Sequence, residues 1–250
     1  YAALADYLAG EAETEERERE LKVMAQICRK VPMEPAETFH EALQSVWTVH
    51  TILHSTLNYT SIGRVDQYLY PFYKKDIESE LITEDVARDL LGSFLVKFNE
   101  RVQLNNEHLE TTHLKMSNDE AYTYGQSSNH WLQNCIVSGY TPEGEDGTNK
   151  ISLMVIELVN ELELIDPLVS VRLHKDSPEE ILDVTAQFLA KGGAQPTVFN
   201  DDTVIPGMVK HLGIPVEDAR DYSNDGCWET LPYGRTEFGY GHIEVLLSLE

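Results

Sequence analysis

Apolar residues recur with the period of an α-helix through most of the first 130 residues. Residues 1–30 carry one amphipathic pattern and residues 35–55 carry another. The second pattern places four residues on one stripe: Phe39, Leu43, Val46 and His50. Pro71 follows the segment RVDQYLY and is expected to end the next helix, because proline lacks an amide hydrogen. The pattern predicts a layer of helices.

A further helix is predicted to begin after Thr83, which has the side chain of a typical N-cap. Glu84 and Asp85 then fall in the first turn, where negative charge interacts favourably with the helix dipole. The apolar positions that follow share one face: Val86, Leu90, Leu91, Phe94, Leu95 and Phe98. This face is expected to pack in the core.

After residue 130 the pattern changes to short β-prone segments that alternate with helices. Strands are predicted for QNCIVSG, VSVRL and PTVFN, and helices for residues 151–164, 177–191, 204–212 and 215–222. Ser177, Pro178 and Glu180 form the pattern of a capping box with proline at the first helical position. The alternation is typical of parallel β/α units. We expect an α/β fold in one domain, with a mainly helical layer over 1–130 and β/α units over 131–250.

The composition limits the functions to consider. The chain has 42% hydrophobic and 25% charged residues, which is typical of a soluble globular protein. Its net charge of −24 disfavours nucleic acids and anionic membranes, because both would be repelled. We find no signal peptide and no apolar run near the length of a membrane span, so a cytoplasmic location is expected.

Metal and disulfide chemistry have little support in the sequence. Cys28, Cys135 and Cys227 are far apart and form no C-x-x-C pair, so neither a disulfide framework nor a structural zinc site is expected. Cys135 is predicted to be a core residue. Asp201 and Asp202 suggest either a cation site or helix caps, and we favour caps. His108, His113 and His130 have no metal-ligand spacing.

The segment NDGCWETLPYG carries the strongest chemical signal, since one residue separates Cys227 from Glu229. In an extended segment both side chains would face one cavity, while Trp228 would face away. A thiol and a carboxylate beside one substrate can divide hydrogen removal and proton transfer between them. Arg172, at the end of VSVRL, suggests either a bidentate contact with a substrate carboxylate or a structural ion pair.

Several stretches in order resemble the glycyl radical enzymes, the pyruvate formate-lyase-like family. They include SIGRVDQYLYPFYKKDI, GYTPEGEDGTNKISL, DPLVSVRLHKDSPEE and GIPVEDARDYSNDGCWE. The resemblance implies that residues 1–250 are the central part of a ten-stranded β/α barrel wrapped by helices, with the cysteine loop inside it. It also implies that Cys227 becomes a thiyl radical that takes a hydrogen atom from the substrate. Glu229 matches the acid or base of the dehydratases and lyases.

The resemblance implies no bound cofactor in this part of the chain. The radical would reside on a glycine in a carboxyl-terminal loop that these 250 residues do not contain, so the fragment alone is expected to be inactive. An activating enzyme with S-adenosylmethionine and an iron–sulfur cluster would install it under anaerobic conditions, and a homodimer is expected. Pyruvate formate-lyase has two adjacent cysteines where this chain has Cys227 and Trp228, which disfavours a formate C-acetyltransferase. The other alternative is a truncated, non-catalytic remnant.

The substrate positions depart from those of glycerol dehydratase. Asn58 and Tyr59 replace its His-Ser pair, and Gly241 replaces the aspartate that holds the diol. We therefore expect a less hydroxylated substrate than a polyol, such as an aromatic one. His242 suggests either a polar contact or a helix cap. The candidate substrate contacts are Asn58, Tyr59, Trp228, His242 and Arg172.

Overall fold

The computed structural model describes residues 1–54, 61–99, 133–192, 195–226, 228–232 and 234–235. The helices are α1 (Ala2–Gly10), α2 (Glu15–Lys30), α3 (Phe39–His54), α4 (Val65–Glu78), α5 (Glu84–Asn99), α6 (Lys150–Glu161), α7 (Glu179–Ala190), α8 (Asp201–Leu212) and α9 (Val216–Arg220). The strands are β1 (Asn134–Ser138), β2 (Leu168–Leu173), β3 (Thr197–Asn200), β4 (Tyr222–Asp225) and β5 (Glu229–Pro232). None of the described helices is long and apolar enough to cross a membrane.

The predicted start of α5 is confirmed. The helix begins at Glu84, and the hydroxyl of Thr83 accepts a hydrogen bond from the backbone N–H of Val86 at 3.3 Å. Four of the six predicted core positions are buried: Leu91, Phe94, Leu95 and Phe98. Val86, in the first turn, is 44% exposed. Ala87, in the same turn, is fully buried, so the buried face of the first turn lies one residue along from Val86.

The helical pattern over residues 1–30 is confirmed, although as two helices, while the predicted break at Pro71 was wrong. The amphipathic pattern over residues 1–30 is interrupted, because Thr14 caps a new helix by accepting a hydrogen bond from the N–H of Arg17 at 3.2 Å. Pro71 does not end its helix and lies inside α4. Leu69 and Tyr73 are buried on either side of it. Burial of these side chains stabilises the helix by more than the hydrogen bond that proline cannot donate.

The three predicted strands form one parallel sheet in the order β1-β2-β3, which confirms the predicted β/α arrangement. Successive side chains of a strand point to opposite faces. Cys135 and Val169 belong to the large core between the sheet and the helices. Ile136, on the other face, packs in a small core with Tyr222. The second face therefore lies against the segment that leads to Cys227.

The helix caps in this half differ from the predictions. The hydroxyl of Ser177 does not cap α7, and it accepts a hydrogen bond from the N–H of His174 at 2.9 Å. Asn200 caps α8 by accepting from the N–H of Asp202 at 3.0 Å. Asp201 is thus the first residue of the helix and its carboxylate is free to bond elsewhere. The predicted cap of α7 was therefore one residue too early, since Pro178 holds the N-cap position, and the predicted cap of α8 was too late.

The cysteine segment forms an antiparallel hairpin of β4 and β5, which the sequence patterns did not predict. The helix expected over residues 215–222 ends at Arg220, and Tyr222 is already the first residue of β4. In the hairpin register Asp225 lies opposite Glu229. The hairpin therefore brackets Cys227 from both sides.

Gly139 follows β1 and tolerates no side chain. Its φ is +81°, and a Cβ atom would lie 2.5 Å from Nε of Arg172 and 2.6 Å from Oδ2 of Asp201. Gly139→Ala is expected to lower the free energy of unfolding by about 2–3 kcal/mol. Gly207→Ala is the control, because Gly207 lies in α8 with no atom within 4 Å of the new Cβ. It should raise stability by about 0.5–1 kcal/mol in the same urea titration. Equal effects of the two substitutions would contradict this account.

Candidate active site

A tight turn joins β4 to β5. The predicted catalytic residue, Cys227, belongs to this turn by its place in the sequence. The N–H of Trp228 donates to the carbonyl of Asp225 at 2.9 Å and closes the turn. Gly226 has φ +45° and Trp228 has φ +73°, so the chain is not extended at Trp228. The expected extended geometry was therefore wrong at this residue. Cys227 itself lies outside the described residues, and its orientation relative to Glu229 stays a prediction.

The two described neighbours of Cys227 with predicted roles are both accessible. Trp228 is 40% exposed, and Glu229 is exposed at the start of β5. An exposed carboxylate at this place can reach a molecule bound beside the turn. Substrate contact by Trp228 and acid–base chemistry by Glu229 stay predictions.

Three hydrogen bonds fasten the hairpin to the sheet and to the segment before α4. The side-chain amide of Asn224 donates to the hydroxyl of Ser170 at 3.0 Å. The amide of Asn134 donates to the carbonyl of Gly226 at 3.2 Å. The N–H of Ser61 donates to the carboxylate of Asp225 at 3.1 Å. The tip thus lies beside the amino end of β1, since Asn134 is the first residue of that strand.

Asp225 lies next to the turn in a low-dielectric environment. Burial raises the pKa of its carboxyl group, while hydrogen bonds from the N–H groups of Gly226 and Ser61 act in the opposite direction. The charge of nearby Glu229 adds to the upward shift in the pKa of Asp225. The two N–H donors therefore stabilise the ionised form of the Asp225 carboxyl group beside the turn.

The base of the hairpin is held by Arg172, which forms the structural ion pair that the sequence left open. Its guanidinium is fully buried and pairs with Asp201 through Nε at 2.9 Å and Nη2 at 2.8 Å. It also donates to the carbonyls of Tyr222 at 3.1 Å and Arg220 at 2.7 Å, and it stacks 3.9 Å from the ring of Tyr222. A substrate carboxylate could bind only by breaking this pair, so the geometry does not support a substrate contact for Arg172.

Asp201 and Asp202 do not cap α8, so the favoured role was wrong, and both carboxylates accept hydrogen bonds from other segments. Asp201 also accepts hydrogen bonds from the hydroxyl of Tyr222 at 2.7 Å and from the N–H of Tyr140 at 2.8 Å. Asp202 accepts from the N–H of Lys175 at 2.8 Å. No group of three or more potential metal ligands occurs in the part of the chain that the structure describes.

A second buried arginine, Arg64, ties the start of α4 to the hairpin. It bonds the carboxylate of Asp221 at 2.6 Å and the carbonyls of Ser138 and Tyr140 at 3.2 and 3.0 Å. Burial lowers the pKa of Arg64 from its ordinary value. The role of Arg64 was not predicted, although Arg64 lies within the family-like segment SIGRVDQYLYPFYKKDI.

Asp66, two residues later, anchors the end of β1. Its carboxylate accepts from the N–H of Ser138 and the hydroxyl of Ser152, both at 2.6 Å. Burial raises the pKa of Asp66, and the positive charge of Arg64 opposes that shift. The signal that was missed is the same for both residues: charged side chains inside an amphipathic segment that packs against a sheet.

Of the remaining residues that the sequence analysis considered, the structure describes the two cysteines Cys28 and Cys135. Cys135 is fully buried in the core as predicted, and burial raises the pKa of its thiol well above the ordinary range. Cys28 is partly exposed. The other candidates lie outside the described residues: Asn58, Tyr59, His108, His113, His130, Gly241 and His242.

Comparison with known proteins assigns the family. The family model described as pyruvate formate lyase-like matches residues 1–249. The chain is 31% identical to trans-4-hydroxy-L-proline dehydratase of Clostridioides difficile, matching 100% of this chain and 31% of that protein. It is 35% identical to isethionate sulfite-lyase of Nitratidesulfovibrio vulgaris, matching 100% of this chain and 29% of that protein.

A solved structure of a glycyl radical enzyme from Archaeoglobus fulgidus is similar with a TM-score of 0.80 and 37% identity, over 94% of this chain and 29% of that one. The α/β fold is thereby confirmed, while a barrel of ten strands stays a prediction. The chain spans less than a third of the length of each of these proteins. It belongs to the pyruvate formate lyase-like family of glycyl radical enzymes.

Proposed function

We propose that this chain is the central catalytic part of a glycyl radical lyase that breaks a carbon–heteroatom bond. The observation that carries the proposal is the β4–β5 hairpin. Its turn contains the residues before and after Cys227, and hydrogen bonds of Asn134 and Asn224 hold it against the sheet. Two relatives support the bond class, since one is a dehydratase and the other a sulfite-lyase. These reactions break a C–O and a C–S bond.

In the proposed reaction the sulfur radical of Cys227 takes a hydrogen atom from a substrate carbon. An S–H bond forms and the unpaired electron moves to that carbon. The bond from the adjacent carbon to the heteroatom then breaks, and Glu229 moves the proton that accompanies the leaving group. The Cys227 thiol returns its hydrogen atom to the product radical, so the sulfur radical is regenerated and no external oxidant or reductant is consumed.

The radical itself would come from a glycine in another part of the full-length protein, installed by an activating enzyme with S-adenosylmethionine and an iron–sulfur cluster. The accessibility of Trp228 and Glu229, the two residues that follow Cys227 in sequence, supports access of such a loop to this turn. We also propose that the full-length protein is a homodimer and that its radical forms under anaerobic conditions. Asn58, Tyr59, Trp228 and His242 are the proposed substrate contacts.

The substrate class can be tested on the full-length protein that contains this chain, activated anaerobically. We expect conversion of a small molecule with a C–O or C–S bond, such as trans-4-hydroxy-L-proline or isethionate. The panel should include glycerol, propane-1,2-diol, choline and 4-hydroxyphenylacetate. The last compound tests the aromatic substrate that the sequence favoured, and fast dehydration of either diol would contradict that expectation.

The unactivated protein is the control for this panel, and products should be identified by mass spectrometry. A glycine-centred EPR doublet without conversion of any C–O or C–S substrate would contradict the proposed bond class. Release of formate from pyruvate and coenzyme A would favour the formate C-acetyltransferase alternative.

A further inference from the structure

The hydrogen bond between Asn134 and the residue before the cysteine points to a role beyond fold stability. The carbonyl of Gly226 belongs to the peptide bond that joins Gly226 to Cys227, and the side-chain amide of Asn134 donates to it at 3.2 Å. We propose that Asn134 is a positioning residue that fixes this peptide plane and thereby the place from which the Cys227 sulfur reacts. This inference rests on the proposed function.

Asn134 is itself held rigidly. It is fully buried and pairs with Leu168 in the β1–β2 ladder. Its backbone carbonyl accepts hydrogen bonds from the N–H of Ile62 at 2.8 Å and from the hydroxyl of Ser61 at 2.9 Å. A donor on such a rigid strand can restrain a partner without moving itself.

A closed ring of contacts surrounds the turn. Ser61 bonds the backbone of Asn134 through its hydroxyl and the carboxylate of Asp225 through its N–H. Asn134 bonds the carbonyl of Gly226. The two residues that precede Cys227 are thus restrained from one place, where the segment before α4 meets β1. The two anchors act on consecutive residues, so neither can swing alone.

The restraint matters because Gly226 has wide conformational freedom. Its φ of +45° lies in the left-handed region, and a glycine peptide rotates easily when no partner holds it. Rotation of this peptide plane would displace the next residue, which is Cys227. Reacting atoms must approach to roughly 3–3.5 Å, and a displacement near 1 Å can cost about 100-fold in rate. Asn134 would supply this precision.

The substitution Asn134→Leu tests the role, because leucine has a similar size and cannot donate a hydrogen bond. Asn160→Leu is the matched control, since Asn160 lies on α6, where its backbone carbonyl accepts a hydrogen bond from Lys191 at 3.0 Å. In hydrogen–deuterium exchange of the unactivated protein, amides of residues 222–232 should exchange about 5-fold faster in Asn134→Leu, as expected for one lost hydrogen bond. Asn160→Leu should leave them unchanged.

The second measurement uses the activated full-length protein in D₂O. The Cys227 thiol exchanges to S–D and passes deuterium to the glycine radical carbon, and the protium of that carbon then returns to sulfur. The glycine EPR doublet therefore collapses towards a singlet. At equal radical yield, Asn134→Leu should slow this collapse by about 100-fold. It should lower kcat and leave KM unchanged on any converted substrate.

The outcomes separate the two proposals. Unchanged amide exchange in Asn134→Leu would show that Asn134 does not restrain the turn, which overturns the inference. Faster amide exchange with an unchanged rate of doublet collapse would also overturn the inference, because Asn134 would then only stabilise the hairpin. A wild-type protein that forms no doublet refutes the proposed function and, with it, the role of Asn134 in the reaction, while the amide exchange still shows whether the restraint exists.

Discussion

Cys227→Ser in the activated full-length protein is expected to abolish turnover and to leave the glycine-centred EPR doublet at full intensity. Serine has nearly the same size as cysteine, so the hairpin tip can keep its contacts through Asn134 and Ser61. The O–H bond of serine is much stronger than an S–H bond, so the hydroxyl cannot pass its hydrogen atom to a glycine-centred radical. Radical storage would therefore survive while its transfer to the substrate would not.

Cys28→Ser is the control for this experiment. Cys28 is partly exposed on α2, in the helical layer, and it has no proposed part in the reaction. It should leave both turnover and the doublet unchanged. Turnover that survives in Cys227→Ser would refute the assignment of Cys227. Loss of the doublet in that variant would show that the substitution disturbs activation, which the proposed role does not predict.

The elements that the sequence predicted are those whose stability comes from local patterns. The strands around Cys135, Val171 and Val198 are short β-prone segments between glycine- and proline-rich turns, and parallel pairing followed from their alternation with helices. The hairpin was missed because β4 has the sequence YSND, which has little intrinsic preference for a strand. Its conformation depends on contacts such as the one between Asn224 and Ser170.

The contacts of the site were harder to predict than the position of the cysteine. The C-x-E pattern pointed to Cys227 and Glu229 directly, whereas Asn134 and Arg64 act through partners at least 70 residues away in sequence. One signal was present: polar residues occur within otherwise apolar strands, as Asn134 and Ser170 do. In a strand buried on both faces, such residues must find buried partners. The sequence shows that need but does not identify the partner.

Arg172→Met is expected to lower the free energy of unfolding by about 3–5 kcal/mol, because it leaves the carboxylate of Asp201 buried without its counter-charge. The double variant Arg172→Met/Asp201→Asn should be less destabilised, because it removes the unpaired buried charge. The amide oxygen can accept the hydrogen bond from the N–H of Tyr140, and the amide NH2 can donate to the hydroxyl oxygen of Tyr222. Urea unfolding followed by circular dichroism measures both variants.

Arg88→Met is the matched control for burial. Arg88 also bonds two partners, Glu157 at 2.8 Å and Glu161 at 2.6 Å, but its side chain is 31% exposed. Its loss should cost only about 0–1 kcal/mol, since water solvates the carboxylates that remain. Equal costs for Arg172→Met and Arg88→Met would contradict the importance of the buried pair. If Arg172 instead binds the substrate, a correctly folded Arg172→Lys protein should show a raised KM; a structural role predicts lower stability with KM unchanged.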